Sequence, residues 1–481
     1  MALSSCQEVV LTPEHFDVVV IGGGPGGYAS ALYGANAGLS IAVIEREKVG
    51  GTCLHRGCIP AKEFLETASV FRSVAGAKEF GVLTEQPGLD FSVSQARKQK
   101  VVDGLWKGLQ GLMRSRKITT VIGTGSLGPD RQVRVDDGTE LTADHVILAA
   151  GSVPRSIPGF DVDGKLVLTS DEVLALEQLP ARAVVIGGGA IGCEFASMLA
   201  DLGTRVTLLE VMPRLLLGVD SEVAAVVTKG LARRGIDIHA GVAVKGHAPD
   251  PGGTSTTVYF GDDGAVDVDV VIVSVGRAPR TYDLLLPGSG VTLDERGFVP
   301  VDAFCRTNVE RVWGVGDVIS TAHFVPHPQL AHVGFEEGIT VIKGILGEPV
   351  VPVDYGKVPW CIYCQPEVAF TGMSEDQAKE AGLDVVTKKM PFAHNGRALI
   401  LGDTEGMVKI VAEKLPSGQA GRILGVHMVG PWVTEQLGQG YLAVNWEATP
   451  QEIAQFIQPH PSLSEQFGEA VLALTGRGLH G

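Results

Sequence analysis

The chain has 481 residues, of which 45% are hydrophobic and 20% are charged, and its formal net charge is −16. This composition excludes a disordered chain without a core, and the acidic balance disfavours nucleic acid as a partner. At roughly 150 residues per domain, the length predicts about three domains.

The positions of the basic residues and the number of cysteines bear on the cellular compartment of the protein. No stretch reaches about 18 uninterrupted apolar residues, and the segment before Arg46 has no Lys or Arg, so it lacks the basic flank of a targeting peptide. The seven cysteines comprise two close pairs and three isolated residues: Cys53/Cys58, Cys361/Cys364, Cys6, Cys193 and Cys305. An odd number argues against a secreted disulfide framework. We therefore expect a cytoplasmic protein with no membrane and no nucleic-acid partner.

The first predicted elements are a short strand, a glycine-rich turn and a helix. The strand is the apolar run from Phe16 to Ile21, and a second strand follows the helix and ends in an acid. Glycines in such a turn let a pyrophosphate approach the helix N-terminus, and the acid accepts hydrogen bonds from a ribose. The motif residues are Gly22, Gly24, Gly27 and Glu45. They predict a dinucleotide site.

The next stretch, residues 50–62, contains two thiols separated by four residues. Pro60 precedes a helical run, so Cys58 lies near a helix N-terminus, where the dipole stabilises a thiolate. Lys62 lies one turn further on the same face and adds positive charge. A zinc half-site or buried packing cysteines are the alternatives. The first lacks a second ligand pair and the second does not require two glycine turns, so Cys53 and Cys58 are predicted to be redox-active.

The strand, turn and helix pattern returns after residues 118–150, which are predicted to form short strands ending at Gly151. The second motif consists of Gly187, Gly189, Gly192 and Glu210. Its acid again follows the last glycine by 18 residues, and the strand from Val270 ends at Gly276 as the earlier one ends at Gly151. Two equal units predict two dinucleotide-binding domains.

The second acid also bears on the choice of coenzyme. A carboxylate at Glu210 repels the 2′-phosphate of NADP, and neither Val211 nor Met212 is basic. NAD is therefore favoured. Arg214 lies close enough in sequence to keep NADP as an alternative.

The pattern changes from about residue 351 to the end. Strand-like stretches appear first, and residues 408–430 are predicted to form two strands. Helical patterns then cover residues 434–446 and 463–475. We expect a separate α+β domain here.

Motifs along the chain together resemble one family. They are the first glycine motif, residues 51–62, the second glycine motif with Glu194, Gly276-Arg277, residues 312–317 and residues 460–465. From Phe16 to about Leu474 the sequence resembles the flavoprotein disulfide reductases, and among them the dihydrolipoamide dehydrogenases. The resemblance implies an α/β fold with two Rossmann-like domains, for FAD and NAD, and a C-terminal α+β dimerisation domain. The implied ranges are 1–154 and 279–350 for the two parts of the FAD-binding domain, 155–278 for the NAD-binding domain and 351–481 for the dimerisation domain.

The resemblance also implies roles for single residues. Cys53 reacts with the substrate sulfur, whereas Cys58 faces the flavin and forms a charge-transfer contact with it. Lys62 lies by the flavin and pairs with Glu194. The remaining implied residues are His460 as the base, Glu465 as the group that orients it, Asp317 at the ribitol chain, and Gly51, Thr52, Gly151, Ala331, His332 and Gly276 at the cofactors. His460 is expected to act at the redox pair of the other subunit of a homodimer.

The implied reaction is oxidation of protein-bound dihydrolipoamide to lipoamide, with reduction of NAD⁺ to NADH. The implied partner is a lipoyl domain of a 2-oxo-acid dehydrogenase or glycine-cleavage complex. One alternative is an NAD(P)H-dependent reductase of another small disulfide, mycothione- or glutathione-like, which Glu210 disfavours. Another is a non-catalytic flavin-binding component, which the complete set of reacting residues disfavours.

Three positions depart from the family pattern. Gln458 stands where the family often has His, and His55-Arg56 stands between the cysteines, where Asn-Val or a similar pair is common. Both departures are expected to bear on substrate access. Cys361 and Cys364 fall in a predicted strand, where positions three apart face opposite sides, so we expect no second redox centre there.

Overall fold

The computed structural model describes residues 14–85, 88–321 and 327–480, so Cys6 and the polar tail around it lie outside the described residues. The described residues of the chain form two compact units. The described residues within Met1–Cys58, Val101–Val153 and Arg277–Val353 form the first unit, and those within Ile59–Lys100, Pro154–Gly276 and Asp354–Gly481 form the second.

The secondary structure is mixed α/β. The strands are β1 (Glu14–Ile21), β2 (Ile41–Glu45), β3 (Thr119–Ile122), β4 (Gly125–Leu127), β5 (Val133–Val135), β6 (Glu140–Leu148), β7 (Ser152–Pro154), β8 (Val167–Leu168), β9 (Arg182–Ile186), β10 (Arg205–Glu210), β11 (Asp237–Ala240), β12 (Val244–Pro249), β13 (Thr256–Phe260), β14 (Gly264–Val268), β15 (Val270–Val273), β16 (Arg277–Pro279), β17 (Val299–Val301), β18 (Val312–Gly314), β19 (Ile319–Thr321), β20 (Trp360–Ile362), β21 (Glu367–Gly372), β22 (Val385–Pro391), β23 (Met407–Lys414) and β24 (Ala420–Gly430). The α-helices are α1 (Pro25–Asn36), α2 (Gly51–Arg56), α3 (Cys58–Gly76), α4 (Phe91–Ser115), α5 (Ser170–Val173), α6 (Ala190–Asp201), α7 (Ser221–Arg233), α8 (Ala331–Ile345), α9 (Glu375–Glu380), α10 (Gly396–Leu401), α11 (Val433–Asn445), α12 (Pro450–Ile453) and α13 (Glu465–Leu474). Short 3-10 helices cover Ala77–Phe80, Pro129–Arg131, Gly316–Val318, Tyr355–Lys357 and Phe392–His394.

The first unit is built on a seven-stranded sheet with strand order β3-β2-β1-β6-β5-β4, in which β18 also pairs with β6. β1 pairs in parallel with β2 on one side and with β6 on the other. Strand order therefore reverses at β1. In open α/β sheets, ligands bind beyond the carboxyl end of such a strand.

The core of the first unit explains why the second half of β1 is apolar. Val19 and Ile21 pack into one hydrophobic cluster, whereas Val18 and Val20 pack into a second one. Successive side chains of a strand face opposite sides, so both faces of this sheet are covered.

The second unit contains the corresponding arrangement. Its parallel sheet has the order β11-β10-β9-β15-β8, and the order reverses at β9, which lies between β10 and β15. An antiparallel sheet, β12-β13-β14, follows within the same stretch of chain.

The C-terminal part of the second unit is an antiparallel sheet with the order β20-β21-β24-β23-β22. Helix α11 packs on β21 and β24, and α13 packs on β22 and β23. The predicted α/β fold class, with two doubly wound sheets and a C-terminal α+β part, is confirmed; the sheet of the first unit is parallel except for the antiparallel strands β4 and β5. Helix α2 is an addition, because the sequence predicted only a glycine turn there, and Gly50 does adopt a φ of +114° directly before this helix.

Within the ranges that the structure describes, no helix combines the length and apolarity needed to span a bilayer.

One buried lysine connects the parallel and antiparallel sheets of the second unit. Lys409 on β23 is 1% exposed, and its Nζ lies 2.9 Å from Asp220, 2.7 Å from Glu222 and 2.8 Å from Glu375. Asp220 is also the N-cap of α7 and accepts a hydrogen bond from the N–H of Glu222. A single ammonium group therefore forms ion pairs with three carboxylates from two parts of the chain.

Burial opposes the charges in this cluster, but the hydrogen bonds outweigh it. Burial lowers the pKa of Lys409, yet its bonds to the carboxylates raise it overall. Burial raises the pKa of Asp220, but the hydrogen bond from Lys409, the charges of His427 and Lys409, and the hydrogen bond from the N–H of Val223 together lower it below its usual value. Hydrogen bonds from Lys379 and Lys409 lower the pKa of Glu375 to about 2. The cluster is therefore charged at neutral pH.

Replacing Lys409 with Met should destabilise the protein, because Asp220 would remain buried without a counter-charge. A cost of about 3–5 kcal/mol is typical of such a loss, and for a chain of this length it corresponds to a thermal midpoint lower by roughly 3–5 °C. Differential scanning fluorimetry measures this shift. The control is Lys414→Met on the same strand, where the lysine is 46% exposed and should contribute less than about 1 kcal/mol. Equal shifts for the two variants would contradict this assignment.

Candidate functional site

The first glycine turn places the start of α1 against the end of β1. A Cβ atom on Gly27 would lie 1.9 Å from the carbonyl oxygen of Gly22, so only glycine allows this approach. Gly22 has a φ of +110° and packs on the backbone of Ala149. Gly24 is the N-cap of α1, and glycine offers no side chain to satisfy the first N–H groups of the helix. Those N–H groups suit an anion.

A second helix N-terminus lies beside the first. Helix α8 follows the apolar N-cap Leu330 and begins with the predicted cofactor residues Ala331 and His332. A Cβ atom on Gly334 would lie only 3.2 Å from the backbone nitrogen of Gly26, in the first turn of α1. Two positive helix ends therefore lie together, which fits a pyrophosphate.

The acid after β2 is held by the same turn. Glu45 accepts hydrogen bonds from the N–H of Gly23 at 2.8 Å and from the N–H of Glu47 at 3.0 Å. Each carboxylate oxygen can accept a further bond. The orientation of Glu45 is thus fixed by the backbone while it keeps capacity for a ribose, which fits the adenosine end of FAD.

The second glycine turn repeats this geometry. A Cβ atom on Gly192 would lie 1.9 Å from the carbonyl oxygen of Gly187, and one on Gly187 would lie 2.4 Å from that of Ser274. Gly189 is the N-cap of α6, as Gly24 is for α1. The predicted internal repeat is therefore a repeat in space as well as in sequence, and its residues fit a second dinucleotide.

The second acid is held as the first one is. Glu210 accepts hydrogen bonds from the N–H of Gly188 at 2.5 Å and from the N–H of Met212 at 2.7 Å. Arg214, the residue that kept NADP as an alternative, donates instead to four carbonyl groups within residues 215–219. Because the guanidinium donates to its own loop, it is not directed at a 2′-phosphate, and the geometry favours NAD over NADP.

Asp317 lies in a polar cluster of the first unit. The hydroxyl of Ser152 donates to its carboxylate at 2.5 Å, and Nε of Arg277 donates to that hydroxyl at 2.7 Å. The predicted strand-end glycines precede these two residues: Gly151 has a φ of +75° and Gly276 one of +106°. Asp317 is therefore oriented by groups that the two strand ends position.

The two predicted redox cysteines lie on consecutive helices. The predicted residues Gly51 and Thr52 open α2, Cys53 is its third residue, and Cys58 is the first residue of α3. A Cβ atom on Gly57, between the helices, would lie 3.0 Å from the carbonyl oxygen of Thr52 and 3.4 Å from Cα of Cys53. This close turn brings the start of α3 back against α2. Both thiols are half-buried.

Tyr28 of α1 interacts electrostatically with both predicted redox cysteines. Burial, and then the charges of Cys53 and Cys58, raise its pKa to about 12. The phenol therefore stays neutral, and the two thiols share one neighbourhood next to the first glycine turn.

The unusual pair between the cysteines contacts the preceding loop. Nε2 of His55 donates to the carbonyl oxygen of Val49 at 3.0 Å, and Arg56 pairs with Glu47 at 3.0 Å. The ring of His55 also meets Trp106 edge-on, with centroids 6.3 Å apart. These contacts fix α2 to the loop after β2, so they give both side chains a structural role that the sequence did not predict.

Lys62 and Glu194 form the predicted pair. Nζ of Lys62 lies 2.9 Å from each carboxylate oxygen of Glu194, which is only 8% exposed. The N–H of Tyr363 donates to the same carboxylate at 2.9 Å, and the ammonium lies 4.9 Å from the centre of the Tyr363 ring. Glu194 and Tyr363 therefore fix the position of this ammonium on α3.

His460 and Glu465 also form the predicted pair. Nδ1 of His460 donates to the carboxylate at 2.5 Å, and the N–H of Ser462 donates to its second oxygen at 2.8 Å. The histidine side chain is 78% exposed, whereas that of Glu465 is 19% exposed. Because Nδ1 carries the proton, Nε2 of the neutral ring is the basic atom.

Gln458 packs against Gly468 and donates to the side chain of Gln439 at 3.2 Å. It is thus built into the start of α13 rather than forming part of the His460 pair.

The other close cysteine pair has two separate environments. Cys361 lies against the cluster that contains Leu437, whereas Cys364 is buried in the cluster that contains Leu199. Burial raises the pKa of Cys361 to about 11 and that of Cys364 to about 12. Both thiols are therefore protonated at neutral pH, and the absence of a second redox centre here stays a prediction. In the described part of the chain, no group of three or more His, Cys, Asp or Glu side chains is arranged for a metal ion.

Sequence reasoning missed Tyr28, Tyr363, Ser152 and Arg277 as members of these clusters. Their separation from their partners leaves no local pattern, since Tyr363 lies 169 residues from Glu194 and Arg277 lies 125 residues from Ser152. The only signal was adjacency: Ser152 and Arg277 each follow a predicted strand-end glycine.

Comparison with known proteins agrees with this geometry. The pyridine nucleotide-disulphide oxidoreductase family matches residues 16–338, and its dimerisation domain matches residues 358–471. A dihydrolipoyl dehydrogenase of Bacillus subtilis is 41% identical over 480 residues, which cover 97% of this chain and 99% of that protein. One from Zymomonas mobilis is 38% identical, with 97% and 99% covered.

Solved structures give the same result. The crystal structure of LpdA from Mycobacterium tuberculosis has a TM-score of 0.87 at 26% identity and covers 96% of this chain and 99% of that chain. The HOCl-induced flavoprotein disulfide reductase RclA from Escherichia coli, as its Cu(II) complex, has a TM-score of 0.84 at 26% identity, with 96% and 100% covered. Fold, repeated glycine turns and sequence all agree: the chain belongs to the pyridine nucleotide-disulphide oxidoreductase family.

Proposed function

We propose that this protein oxidises protein-bound dihydrolipoamide to lipoamide and reduces NAD⁺ to NADH, with FAD as its resident cofactor. The observation that carries the proposal is the position of Cys53 and Cys58 on two helices joined by the tight turn at Gly57. Two half-buried thiols next to a dinucleotide-type glycine turn suit a dithiol–disulfide cycle. The names of the dihydrolipoyl dehydrogenases at 35–41% identity support the substrate class.

The thiol chemistry follows from these positions. A substrate thiolate attacks the sulfur of Cys53 in the Cys53–Cys58 disulfide, that bond breaks, and Cys58 leaves as a thiolate. Its place as first residue of α3 stabilises the charge by the helix dipole. The second substrate thiol then loses its proton and attacks the substrate sulfur joined to Cys53; the mixed disulfide breaks, Cys53 leaves as a thiolate, and the lipoamide ring closes. The chain now holds two electrons as a dithiol.

FAD, when bound, supplies a carrier that takes these two electrons and passes a hydride to NAD⁺. The groups that would hold it are the N-termini of α1 and α8, Glu45 at the adenosine ribose and Asp317 at the ribitol chain. Lys62 contributes a positive charge one turn after Cys58, and Glu194 and Tyr363 keep it in place. A fixed cation at this point stabilises negative charge without reorganisation.

His460 accepts the proton of the substrate thiol at Nε2. Its other nitrogen donates to Glu465, which fixes the tautomer and stabilises the ring once it is protonated. The side chain is mostly exposed within its own chain, which suits action at the redox pair of a partner subunit. The matching dimerisation domain supports a homodimer.

Glu210 selects NAD by accepting ribose hydroxyls and repelling a 2′-phosphate. The reductase of another small disulfide remains the less favoured function, because such enzymes more often use NADPH. The FAD-binding domain takes residues 1–154 and 279–350, the NAD-binding domain residues 155–278, and the dimerisation domain residues 351–481. The partner is a lipoyl domain of a 2-oxo-acid dehydrogenase or glycine-cleavage complex, and the compartment is the cytoplasm.

A steady-state screen tests the function. Dihydrolipoamide with NAD⁺ should exceed NADPH with glutathione or mycothiol disulfide by roughly 100-fold or more in kcat/KM. In the same assay Glu210→Gln should narrow the preference for NAD⁺ over NADP⁺ by about tenfold, since one charged contact is lost. Faster NADPH-dependent reduction of another disulfide would replace the proposal with the alternative function.

The Cys58→Ser variant tests the redox pair. It should retain FAD, because the turn and helix contacts that fit the cofactor do not use this sulfur. It should lose NAD⁺-dependent oxidation of dihydrolipoamide and the long-wavelength absorbance that accompanies partial reduction. The control is Cys361→Ser, which should keep most of the activity. Full activity of the Cys58 variant would contradict the assignment.

Mixed dimers test the proposed role of His460. His460→Gln should slow dihydrolipoamide oxidation by roughly 100- to 10,000-fold, and Glu465→Gln should cost less because it only orients the base. A His460→Gln subunit is then exchanged with a Cys53→Ser subunit. Each hybrid dimer should contain one intact site and recover up to about half of normal activity. If exchange is demonstrated and no activity returns, His460 does not act across subunits.

A further inference from the structure

Arg214 makes an unusual set of contacts for a residue beside a coenzyme site. Its Nη1 donates to the carbonyl oxygens of Leu215 at 3.3 Å and Leu216 at 2.9 Å. Its Nη2 donates to those of Leu217 and Val219, each at 2.9 Å. The guanidinium is therefore the centre of a loop, residues 215–219, that wraps around it. We call this segment the Arg214 loop.

The Arg214 loop lies directly on the second glycine turn. The N–H of Leu216 donates to the carbonyl oxygen of Gly188 at 2.9 Å. A Cβ atom on Gly188 would lie 2.4 Å from the side chain of Leu215, so the loop leaves no space above this glycine. The N–H of Gly188 in turn donates to Glu210. One residue, Gly188, thus links the loop to the carboxylate that is proposed to bind the ribose.

The conformation of the loop requires such a stabilising group. Leu216 has a φ of +51°, in the left-handed region that bulky L-residues rarely adopt unless their surroundings impose it. Leu216 is nevertheless only 4% exposed, and its side chain packs in the hydrophobic core. Four hydrogen bonds from one planar, always charged group can hold a turn of this shape, and a flexible ammonium cannot.

We infer that Arg214 is a positioning residue of the NAD site: it holds the Arg214 loop over Gly188, keeps the Glu210 carboxylate oriented for the ribose, and does not bind a coenzyme phosphate. This inference rests on the proposed NAD site and deepens it. It also explains how a basic residue four positions after Glu210 is compatible with NAD.

Titration of the FAD-loaded, oxidised protein with NAD⁺ and with NADP⁺ tests this role. Arg214→Met and Arg214→Lys should both raise the Kd for NAD⁺ by about tenfold, the change expected from losing about one hydrogen bond to a charged group. The Kd for NADP⁺ should not rise more than the Kd for NAD⁺ in either variant. Arg205→Met, an exposed arginine at the other end of β10, is the matched control and should leave both Kd values unchanged.

Kinetics provide a second readout. In both variants the KM for NAD⁺ should rise while kcat at saturating NAD⁺ changes little, a split that a general loss of structure would not give. Arg214→Gln, which keeps one pair of N–H donors, replaces Arg214→Met if that variant fails to fold, and it should also weaken NAD⁺ binding.

Wild-type affinity for NAD⁺ without the guanidinium would overturn the inference, and so would full rescue by Lys, which would assign the role to charge alone. A selective loss of NADP⁺ binding would likewise contradict it. If the wild-type protein prefers NADP⁺ or binds neither coenzyme, the proposed NAD site is wrong. If the wild-type protein prefers NAD⁺ and the Arg214 variants bind NAD⁺ with the same Kd, only the role of Arg214 is rejected.

Discussion

In each of the two dinucleotide-type units, the first turn of a helix packs closely against the end of a strand. This packing determines the positions of the ligand-binding groups around it. A Cβ atom on Gly27 or on Gly192 would lie 1.9 Å from a carbonyl oxygen, so strand, turn and helix form one fixed unit in each case. Each turn then orients its acid, Glu45 or Glu210, through a backbone N–H. The two sites differ in what surrounds this common unit: helix α8 and Asp317 in the first, and the Arg214 loop in the second.

The sequence was sufficient to predict features that depend on residues close together in the chain. The glycine spacing, the apolar strands and the acid 18 residues later all lie within one strand–helix–strand segment, so both dinucleotide units could be predicted. The place of Cys58 at a helix N-terminus was predictable for the same reason. The pairs Lys62–Glu194 and His460–Glu465 were expected only through the family resemblance.

Contacts between distant segments could not be predicted. Lys409 meets Asp220 across 189 residues, and Tyr363 meets Glu194 across 169, and neither pairing has a periodic signature. Arg214 illustrates the opposite case, because its closeness to Glu210 in sequence kept NADP open until the geometry assigned its guanidinium to four carbonyl groups of its own loop. Selectivity between NAD and NADP thus depends on which groups a nearby arginine already binds, as well as on whether an arginine is present.

The central claim is that electrons from a dithiol enter this chain through Cys53 and Cys58. Anaerobic incubation with one equivalent of dihydrolipoamide, followed by alkylation in denaturant and peptide mass spectrometry, measures this directly. Both cysteines should be unlabelled in the oxidised protein, alkylated after dihydrolipoamide, and protected again after NAD⁺ is added. Unchanged labelling of Cys53 and Cys58, or a change at Cys361 and Cys364 instead, would contradict the account.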